Sequence, residues 1–293
     1  METYNIALTF NKKFLQHACV TIMSLLDTNK ELHFKIYILY DGLDQIDKDL
    51  MITMVKDYHC NFEFIEVDES VFNGVVTKGR QPTVVYYRLL LSKLVEEERI
   101  FYFDTDIVIN GSIKDYYNQN FEDNYLVGVE DWRLFDRHDI LKMDLESKYF
   151  NSGSTLLNLK KIKEDNIYDK CIECMQTIKN LQFLDQDVIN SVVNGKWKQG
   201  ELKYNTISSY QRESFLKNEY FEKEQILDAF YHPVIIHYTG GRKPWHYISR
   251  SRFRDLYWKY LEMTPFKEYI EPDRTFINII KKNITVLSKK LFK

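Results

Sequence analysis

The sequence predicts an α/β fold built on a central, mostly parallel sheet that is flanked by helices. Along residues 4–103, short apolar runs of strand length alternate with longer segments whose apolar residues recur at helical spacing. Such alternation is typical of parallel sheets with helices packed on their faces. The chain is also 44% hydrophobic and 15% aromatic, which supports a large packed core and excludes a disordered protein.

The individual elements follow from these two patterns. Strands are predicted at residues 4–10, 34–40, 62–67, 100–103, 125–129, 154–159 and 234–238. Helices are predicted at residues 14–26, 50–58, 85–90, 162–178 and 187–193, where apolar residues lie three and four positions apart. Residues 73–82 include Gly74 and Gly79 and are predicted to form a loop, either a lid over a bound substrate or an ordinary surface connection.

One continuous domain is predicted for residues 1–265, because no Pro-, Gly- or Ser-rich stretch marks a linker and no internal repeat is present. Residues 266–293 form a basic tail. Its apolar side chains recur at intervals of three and four residues, opposite its lysines, and are Phe276, Ile280, Ile284, Leu287 and Leu291. This pattern predicts an amphipathic helix that lies on an anionic membrane surface or docks on its own domain.

The sequence predicts a cytoplasmic protein, peripheral at the inner face of the membrane if the tail binds lipid. The amino terminus lacks the pattern of a signal peptide, and no apolar run is long enough to span a bilayer. The 4 cysteines are too few and too scattered for a disulfide framework. The net charge is −3 and the basic residues concentrate in the tail, so nucleic acid is not expected as a partner.

The most informative motif is Asp104-Thr105-Asp106, which follows the strand predicted at residues 100–103. Side chains at positions i and i+2 of an extended chain point to the same face, so the two carboxylates can bind one hard cation. The same spacing occurs in Asp47-Lys48-Asp49, but there the apolar residues follow helical spacing and a solvated role is expected. The first pair instead ends a strand, where open α/β sheets bind their ligands.

Three further segments carry polar side chains at corresponding places in the fold. They are Asn151-Ser152-Gly153, Asp185-Gln186-Asp187, and residues 237–245, which read His-Tyr-Thr-Gly-Gly-Arg-Lys-Pro-Trp. Together with Asp104-Thr105-Asp106, they resemble glycosyltransferase family 8 in order and approximate spacing. The resemblance covers residues 4–262. The family comprises retaining enzymes of the GT-A fold, including bacterial galactosyl- and glucosyltransferases and glycogenin, so a single GT-A-type domain is expected.

The resemblance implies a metal site and a diphosphate site. Asp104, Asp106 and His237 would hold Mn²⁺ or Mg²⁺, and the imidazole nitrogen favours Mn²⁺. Gly240 would let the backbone approach the diphosphate closely, and Lys243 would place a positive charge beside it. The implied donor substrate is a UDP-sugar.

Other positions match residues that contact the donor in this family. Asn151, Asp185 and Gln186 would hold the hydroxyls of the transferred sugar, with Ser152 and Gly153 in the same segment, because amide and acidic side chains distinguish hydroxyl orientations. Asp185 and Gln186 line the reacting face and are the catalytic candidates. Asp187 is expected to cap the following helix.

Three more residues are assigned to the donor by the resemblance. Arg88 matches a basic position that contacts the donor. Thr9 and Asn11 occupy the nucleobase loop, where this sequence lacks the acidic residue usual in the family. Asn11 still offers an acceptor and a donor, so uridine is expected while base specificity stays open.

The implied activity is metal-dependent transfer of glucose or galactose from a UDP-sugar to a hydroxyl of a glycan, glycolipid or glycoprotein acceptor. Two other classes fit part of the pattern. A nucleotidyltransferase or phosphohydrolase could use the same cation site, but it would leave residues 237–245 without a role. A non-catalytic glycan- or nucleotide-binding module is disfavoured because every residue type of the metal site is present.

Overall fold

The computed structural model describes residues 2–72, 83–280 and 282, with residues 134–136 described by their backbone alone. The loop predicted at residues 73–82 lies outside the described residues. The strands are β1 Thr3–Asn11, β2 His33–Asp41, β3 Cys60–Glu66, β4 Arg99–Phe103, β5 Ile107–Ile109, β6 Leu126–Glu130, β7 Phe150–Asn158, β8 Lys198–Gln199, β9 Thr206–Ile207 and β10 Ile235–His237. The helices are α1 Leu15–Thr28, α2 Gln45–Met54, α3 Leu91–Leu94, α4 Lys114–Tyr117, α5 His138–Leu141, α6 Leu159–Glu164, α7 Ile167–Thr177, α8 Asp185–Val193, α9 Lys223–Tyr231 and α10 Arg254–Glu262.

A seven-stranded sheet forms the centre of the molecule, in the order β3-β2-β1-β4-β7-β6-β8. β1 is parallel to β2 and β4, β2 is parallel to β3, and β6 is parallel to β8. β7 is antiparallel to both of its neighbours. The predicted mostly parallel sheet is therefore confirmed. Because β7 alone is reversed, its first residues lie beside the last residues of β4.

Both faces of this sheet are covered, which explains why its strands read as continuous apolar runs. In β4, Phe101 and Phe103 belong to the apolar cluster on one face, while Ile100 and Tyr102 belong to the cluster on the other. The first cluster includes most of the buried face of α1, and the second includes the buried residues of α7. The polar candidates Asp104 and Asp106 come directly after the apolar run of β4.

A second, three-stranded sheet has the order β5-β10-β9. β10 is antiparallel to β5 and parallel to β9. The sequence predicted β10 but neither β5 nor β9, because runs of three and two residues are too short to show a period. This small sheet is important for the site, because pairing with β5 places the end of β10 beside the end of β4.

Several predicted elements differ from the observed ones; β7, for example, begins at Phe150, four residues before the strand predicted at residues 154–159. α2 begins at Gln45, before the predicted start, because Asp44 and Asp47 form a capping box. The helix predicted at residues 162–178 is divided into α6 and α7 at Asn166, whose φ of 51° lies in the left-handed region. The helix predicted at residues 85–90 is a 3-10 helix, Thr83–Leu90, that continues into α3.

The start of the tail lies against the domain. Residues 276–280 and 282 are helical, and Lys282 Nζ donates to Tyr247 O at 3.0 Å. Phe276 is 77% exposed. The other residues of the predicted amphipathic helix lie outside the described part of the chain, so the division at residue 265 stays a prediction. Within the described residues, no helix has the length and apolar character that a membrane span requires.

Candidate functional site

Asp104, Asp106 and His237 meet at one point, where each offers a ligand atom within 4.8 Å of the others. His237 Nε2 lies 3.2 Å from Asp106 Oδ1 and 3.7 Å from Asp104 Oδ2. The two aspartates follow β4 and precede β5, and His237 ends β10. The register of the small sheet places His237 opposite Ile107, the residue after Asp106. Antiparallel pairing thus joins residues that are far apart in sequence.

This cluster fits a divalent cation. Two carboxylates and an imidazole are hard and borderline ligands of the kind that Mn²⁺ accepts. The backbone at Gly153 leaves room for these side chains, because a Cβ added there would lie less than 3.0 Å from both His237 Cε1 and Asp104 Oδ2. Gly153 therefore has a steric role: the start of β7 passes directly beneath two of the three ligands, and only glycine leaves them room.

Lys243 completes the charge balance of this cluster by pairing with Asp106 and by donating to Tyr238 O at 2.8 Å. Burial opposes ionisation of Asp106, but the ammonium of Lys243 and the neighbouring ring of His237 outweigh it and hold the pKa of that carboxyl well below its usual range. Asp106 is therefore an anion at every pH at which the protein would work.

Arg88 links Asp104 to the sugar-binding candidates. Its Nη2 donates to Asp104 Oδ1, its Nη1 donates to Ser152 O at 2.8 Å, and its Nε lies 3.0 Å from Asp185 Oδ2. The guanidinium also lies over the ring of Tyr102, with its carbon 4.1 Å from the ring centroid. Arg88 is 9% exposed, so it is not a solvated charge on the surface of its helix.

Asp185 and Gln186 open α8 and are bonded to the start of β7. Gln186 Oε1 accepts from Asn151 Nδ2 at 2.9 Å and from Ser152 N at 3.1 Å, and Asp185 Oδ2 accepts from Ser152 Oγ at 3.1 Å. Burial raises the pKa of Asp185 to about 6, although Arg88 partly offsets that effect. The four side chains form one polar surface.

The backbone before α8 is strained where it directs these side chains. Leu184 has φ 49° and ψ −117°, a region that a branched residue rarely adopts. Asp187 stabilises this strained backbone, because its carboxylate accepts from Gln182 N at 2.6 Å and from Phe183 N at 2.9 Å. The same carboxylate forms an ion pair with Arg137 at 2.7 Å. The prediction that Asp187 caps the helix is wrong, because its carboxylate binds the preceding loop instead.

We expect Asp187→Asn to lower the free energy of unfolding by about 3 kcal/mol, because it leaves Arg137 buried without its counter-charge. Denaturant titration measures the effect. The control is Asp169→Asn, whose side chain is 62% exposed and pairs with Lys93 at 3.5 Å; it should change stability by no more than about 0.5 kcal/mol. Equal effects in the two variants would contradict the anchoring role.

Asn205 orients the metal-ligand candidate His237, although no motif in the sequence pointed to it. Its Oδ1 lies 3.0 Å from His237 Nδ1, and its Nδ2 donates to Asn151 Oδ1 at 2.9 Å. An amide oxygen only accepts, so His237 Nδ1 carries the proton and Nε2 is free to face the two aspartates. This arrangement is the usual support of a metal-binding imidazole.

We expect Asn205→Ala to weaken Mn²⁺ binding about tenfold, because the imidazole loses the bond that fixes its tautomer. Isothermal titration with Mn²⁺ measures the change. Asn118→Ala is the control, since Asn118 donates to Tyr4 OH, away from the cluster. An unchanged Mn²⁺ affinity in Asn205→Ala would show that Asn205 does not position the ligand.

A cleft of about 780 Å³ lies over the three metal-ligand candidates and over the polar side chains at the starts of β7 and α8. Its lining includes most of the residues that the sequence assigned to the donor: Arg88, Asp104, Asp106, Asn151, Ser152, Asp185, Gln186, His237, Gly240 and Lys243. Gly240 has φ +82°, so the turn after β10 depends on glycine there. Trp245, by contrast, packs inside the protein, where it stacks on His17 with ring centroids 3.7 Å apart.

Thr9, Asn11 and Thr105 are not among the residues that line the cleft. Thr9 Oγ1 lies 2.9 Å from Tyr102 OH, which donates to Asp104 Oδ1 at 2.9 Å. Asn11 accepts from Lys13 N at 3.2 Å and caps the turn after β1. Thr105 O accepts from Thr21 Oγ1 at 3.3 Å. Thr9 is therefore connected to Asp104 through the hydroxyl of Tyr102. The assignment of Thr9 and Asn11 to the nucleobase stays a prediction.

Comparison with known proteins gives a consistent set of relatives. The profile of Glycosyl transferase family 8 matches residues 5–249. The lipopolysaccharide 1,2-glucosyltransferase of Escherichia coli is 28% identical over 268 residues, which are 87% of this chain and 78% of that protein. The lipopolysaccharide 1,3-galactosyltransferase of Salmonella typhimurium is 28% identical over 255 residues, which are 84% of this chain and 74% of that protein.

Solved structures share the same fold. The galactosyltransferase LgtC, in complex with donor and acceptor sugar analogs, superposes with a TM-score of 0.81 and 20% sequence identity, covering 89% of this chain and 96% of that one. At this identity the likeness concerns the fold alone. It confirms the GT-A-type architecture that the sequence predicted.

Proposed function

Because the chain belongs to glycosyl transferase family 8 and is a hexosyltransferase, we propose that it moves glucose or galactose from a UDP-sugar to a hydroxyl of a glycan acceptor. The observation that carries the proposal is the meeting of Asp104, Asp106 and His237 at one end of the cleft. Sugar nucleotides carry a diphosphate, and the two half-buried carboxylates would repel it without an intervening cation.

Asp104, Asp106 and His237 would hold Mn²⁺ or Mg²⁺ at this point. When bound, the cation supplies positive charge that compensates the negative charge developing on the leaving UDP. Lys243 acts in the same direction, because its ammonium lies beside Asp106 at the edge of the cleft. Gly240, in its left-handed conformation, presents backbone rather than a side chain to the phosphates.

The transferred hexose would lie against Asn151, Ser152, Asp185 and Gln186. These residues join carboxylate, amide and hydroxyl groups on one wall, which suits recognition of sugar hydroxyls by paired hydrogen bonds. Gly153 belongs to the same strand and holds the wall close to the metal ligands. The mutual bonds among these side chains fix their positions before the sugar arrives.

We infer that the reaction proceeds with retention through attack by the acceptor on the face from which UDP leaves. Asp185 and Gln186 are the candidates for a covalent nucleophile, but Arg88 and Ser152 occupy the Asp185 carboxylate, and the Gln186 oxygen already accepts two hydrogen bonds. The leaving phosphate would then take the proton of the acceptor hydroxyl. Trapping a glycosyl adduct on Asp185 would overturn this route.

The remaining assignments concern the nucleobase, the acceptor and the cellular location. Thr9 and Asn11 would contact the uridine near the end of β1. The acceptor would be a glycan, a glycolipid or a glycoprotein. The protein would act in the cytoplasm, where the basic residues of the tail could hold it at the anionic inner face of the membrane. The exposed Phe276 supports that surface role, and the contact of Lys282 with Tyr247 shows that the tail begins against the domain.

We expect donor binding to weaken as the pH falls through about 6, because Asp185 then becomes protonated and loses acceptor capacity. The raised pKa of Asp185 sets this direction: the carboxylate is charged above about pH 6 and neutral below it. The measurement is kcat/KM for the donor against pH. In Asp185→Asn the fall of kcat/KM at low pH should disappear. If the fall persists unchanged, a group other than Asp185 causes it.

The proposed function is tested by incubating the protein and Mn²⁺ with UDP-glucose and UDP-galactose, with and without glycan acceptors. Release of UDP that depends on Mn²⁺ and on one of these hexoses is expected. A parallel incubation of UTP with glucose 1-phosphate tests the nucleotidyltransferase alternative. Formation of UDP-glucose in that mixture, without hydrolysis or transfer from either UDP-hexose, would contradict the proposal.

A further inference from the structure

One wall of the cleft has no part in the donor site described above. It is formed by the start of the 3-10 helix Trp132–Arg137, which follows β6, and by the turn at residues 208–212, which follows β9. The two segments are joined, because Tyr210 OH donates to Glu130 O. We call this surface the far wall; its residues that line the cleft are Asp131, Arg133, Ser208, Ser209 and Arg212.

The far wall carries a cation that forms no ion pair with any described side chain. Each carboxylate that lines the cleft has a basic partner: Arg88 pairs with Asp104 and Asp185, Lys243 pairs with Asp106, and Arg133 pairs with Asp131 at 3.0 Å. Arg212 lines the same cleft, yet within the described residues its guanidinium forms no ion pair. Arginine is the side chain best suited to bind a carboxylate or a phosphate with two parallel hydrogen bonds.

A second group on the far wall lacks a partner. Ser209 Oγ is buried and makes no hydrogen bond within the described part of the molecule. A buried hydroxyl without a partner is costly, but a ligand in the cleft does not reach this atom, because Ser209 Oγ has no contact with solvent. The neighbouring Ser208 differs, since its Oγ donates to Thr239 O at 2.9 Å and fixes the turn in place. The turn thus presents the guanidinium of Arg212 to the cleft.

The position of these groups separates them from the donor. Side chains of the metal and sugar sites lie deep, with Arg88 at 8% and Asp106 at 15% side-chain exposure. Arg212 is exposed and the side chain of Arg133 is 43% exposed, so both lie at the mouth of the cleft. An acceptor must enter through this mouth to bring its hydroxyl to a donor bound on the floor.

We propose that the far wall binds an anionic group of the acceptor, a phosphate ester or a carboxylate, through Arg212. This inference rests on the proposed function, because it assumes that a sugar nucleotide fills the deep part of the cleft. The acceptor of this enzyme is then an anionic sugar rather than a neutral one, and Arg212 selects it by charge.

The test uses the full chain with Mn²⁺ and saturating UDP, so that the donor phosphate site is filled. Isothermal titration compares methyl glucoside, glucose 6-phosphate and glucuronate, and the last two distinguish phosphate from carboxylate. At least one anion should bind about tenfold or more tightly than methyl glucoside, and in Arg212→Ala this preference should fall close to one. Arg274→Ala removes an exposed arginine outside the cleft and should keep the preference.

Three results would overturn the inference. The neutral and anionic probes could bind the wild-type protein alike, or the preference for the anion could persist in Arg212→Ala. The affinity for UDP alone could instead fall about tenfold in Arg212→Ala, which would place Arg212 in the donor site. Failure of the proposed function is read separately, as the absence of Mn²⁺-dependent UDP-hexose hydrolysis by the wild-type protein without any added sugar.

Discussion

Asp106→Asn is expected to reduce Mn²⁺-dependent UDP release from the donor about 10³-fold, the largest effect we predict for activity. The substitution keeps the shape of the side chain and removes the negative charge that faces His237 at 3.2 Å. Because Lys243 and His237 hold the pKa of Asp106 low, the wild-type group is fully charged at neutral pH and the whole charge is lost. Steady-state kinetics at saturating donor measure the loss of rate, and a Mn²⁺ titration measures the change in Mn²⁺ dependence.

The matched control is Asp49→Asn, which alters the second aspartate of the other Asp-x-Asp segment. That segment lies on α2, where Asp49 Oδ1 accepts from Gln45 on the helix surface at 2.8 Å. Asp49→Asn should leave both the rate and the Mn²⁺ dependence unchanged. If Asp106→Asn retains wild-type Mn²⁺ dependence, Asp106 is not a ligand and the metal site is elsewhere.

Gly153→Ala is expected to lower Mn²⁺ affinity and the rate of UDP release by about 10²-fold, although it adds only one methyl group. The new Cβ would lie less than 3.0 Å from His237 Cε1 and from Asp104 Oδ2, so one ligand must leave its position. A displacement of about 1 Å in a catalytic group is enough for a loss of this size. Mn²⁺ titration and donor kinetics on the same preparation measure it.

Gly111→Ala provides the steric control. A Cβ there would meet the side chain of Val234 at 3.5 Å, an ordinary contact distance, and should leave Mn²⁺ binding intact. Thermal unfolding of both variants separates a local displacement from a loss of the fold. A folded Gly153→Ala protein with wild-type Mn²⁺ affinity would show that the start of β7 does not shape the site.

The sequence was sufficient to predict the large sheet, because β1, β2 and β4 are apolar runs of strand length that alternate with segments of helical spacing. It also identified Asp104 and Asp106, since a carboxylate pair that ends a buried strand has few structural roles. The reversed strand was only partly predicted. The predicted strand began only at Ser154, yet Asn151 and Ser152 lie buried within β7, where hydrogen bonds to Gln186 satisfy them.

Other parts of the site depend on tertiary contacts that leave no local pattern. His237 reaches the aspartates through β5 and β10, strands of three residues each, and such pairing cannot be read from periodicity. Asn205 is one of many asparagines and is distinguished only by its bond to His237. Arg212 is likewise an ordinary surface arginine in the sequence, and its meaning comes from the cleft that it lines.

Pulsed electron paramagnetic resonance of Mn²⁺ bound to the protein with UDP tests the central claim most directly. One Mn²⁺ should show coupling to a histidine nitrogen, which shifts when the histidines carry ¹⁵N, together with coupling to the phosphorus nuclei of UDP. The nitrogen coupling should disappear in His237→Ala. A Mn²⁺ that binds with UDP but shows no histidine coupling in the wild-type protein would contradict the account.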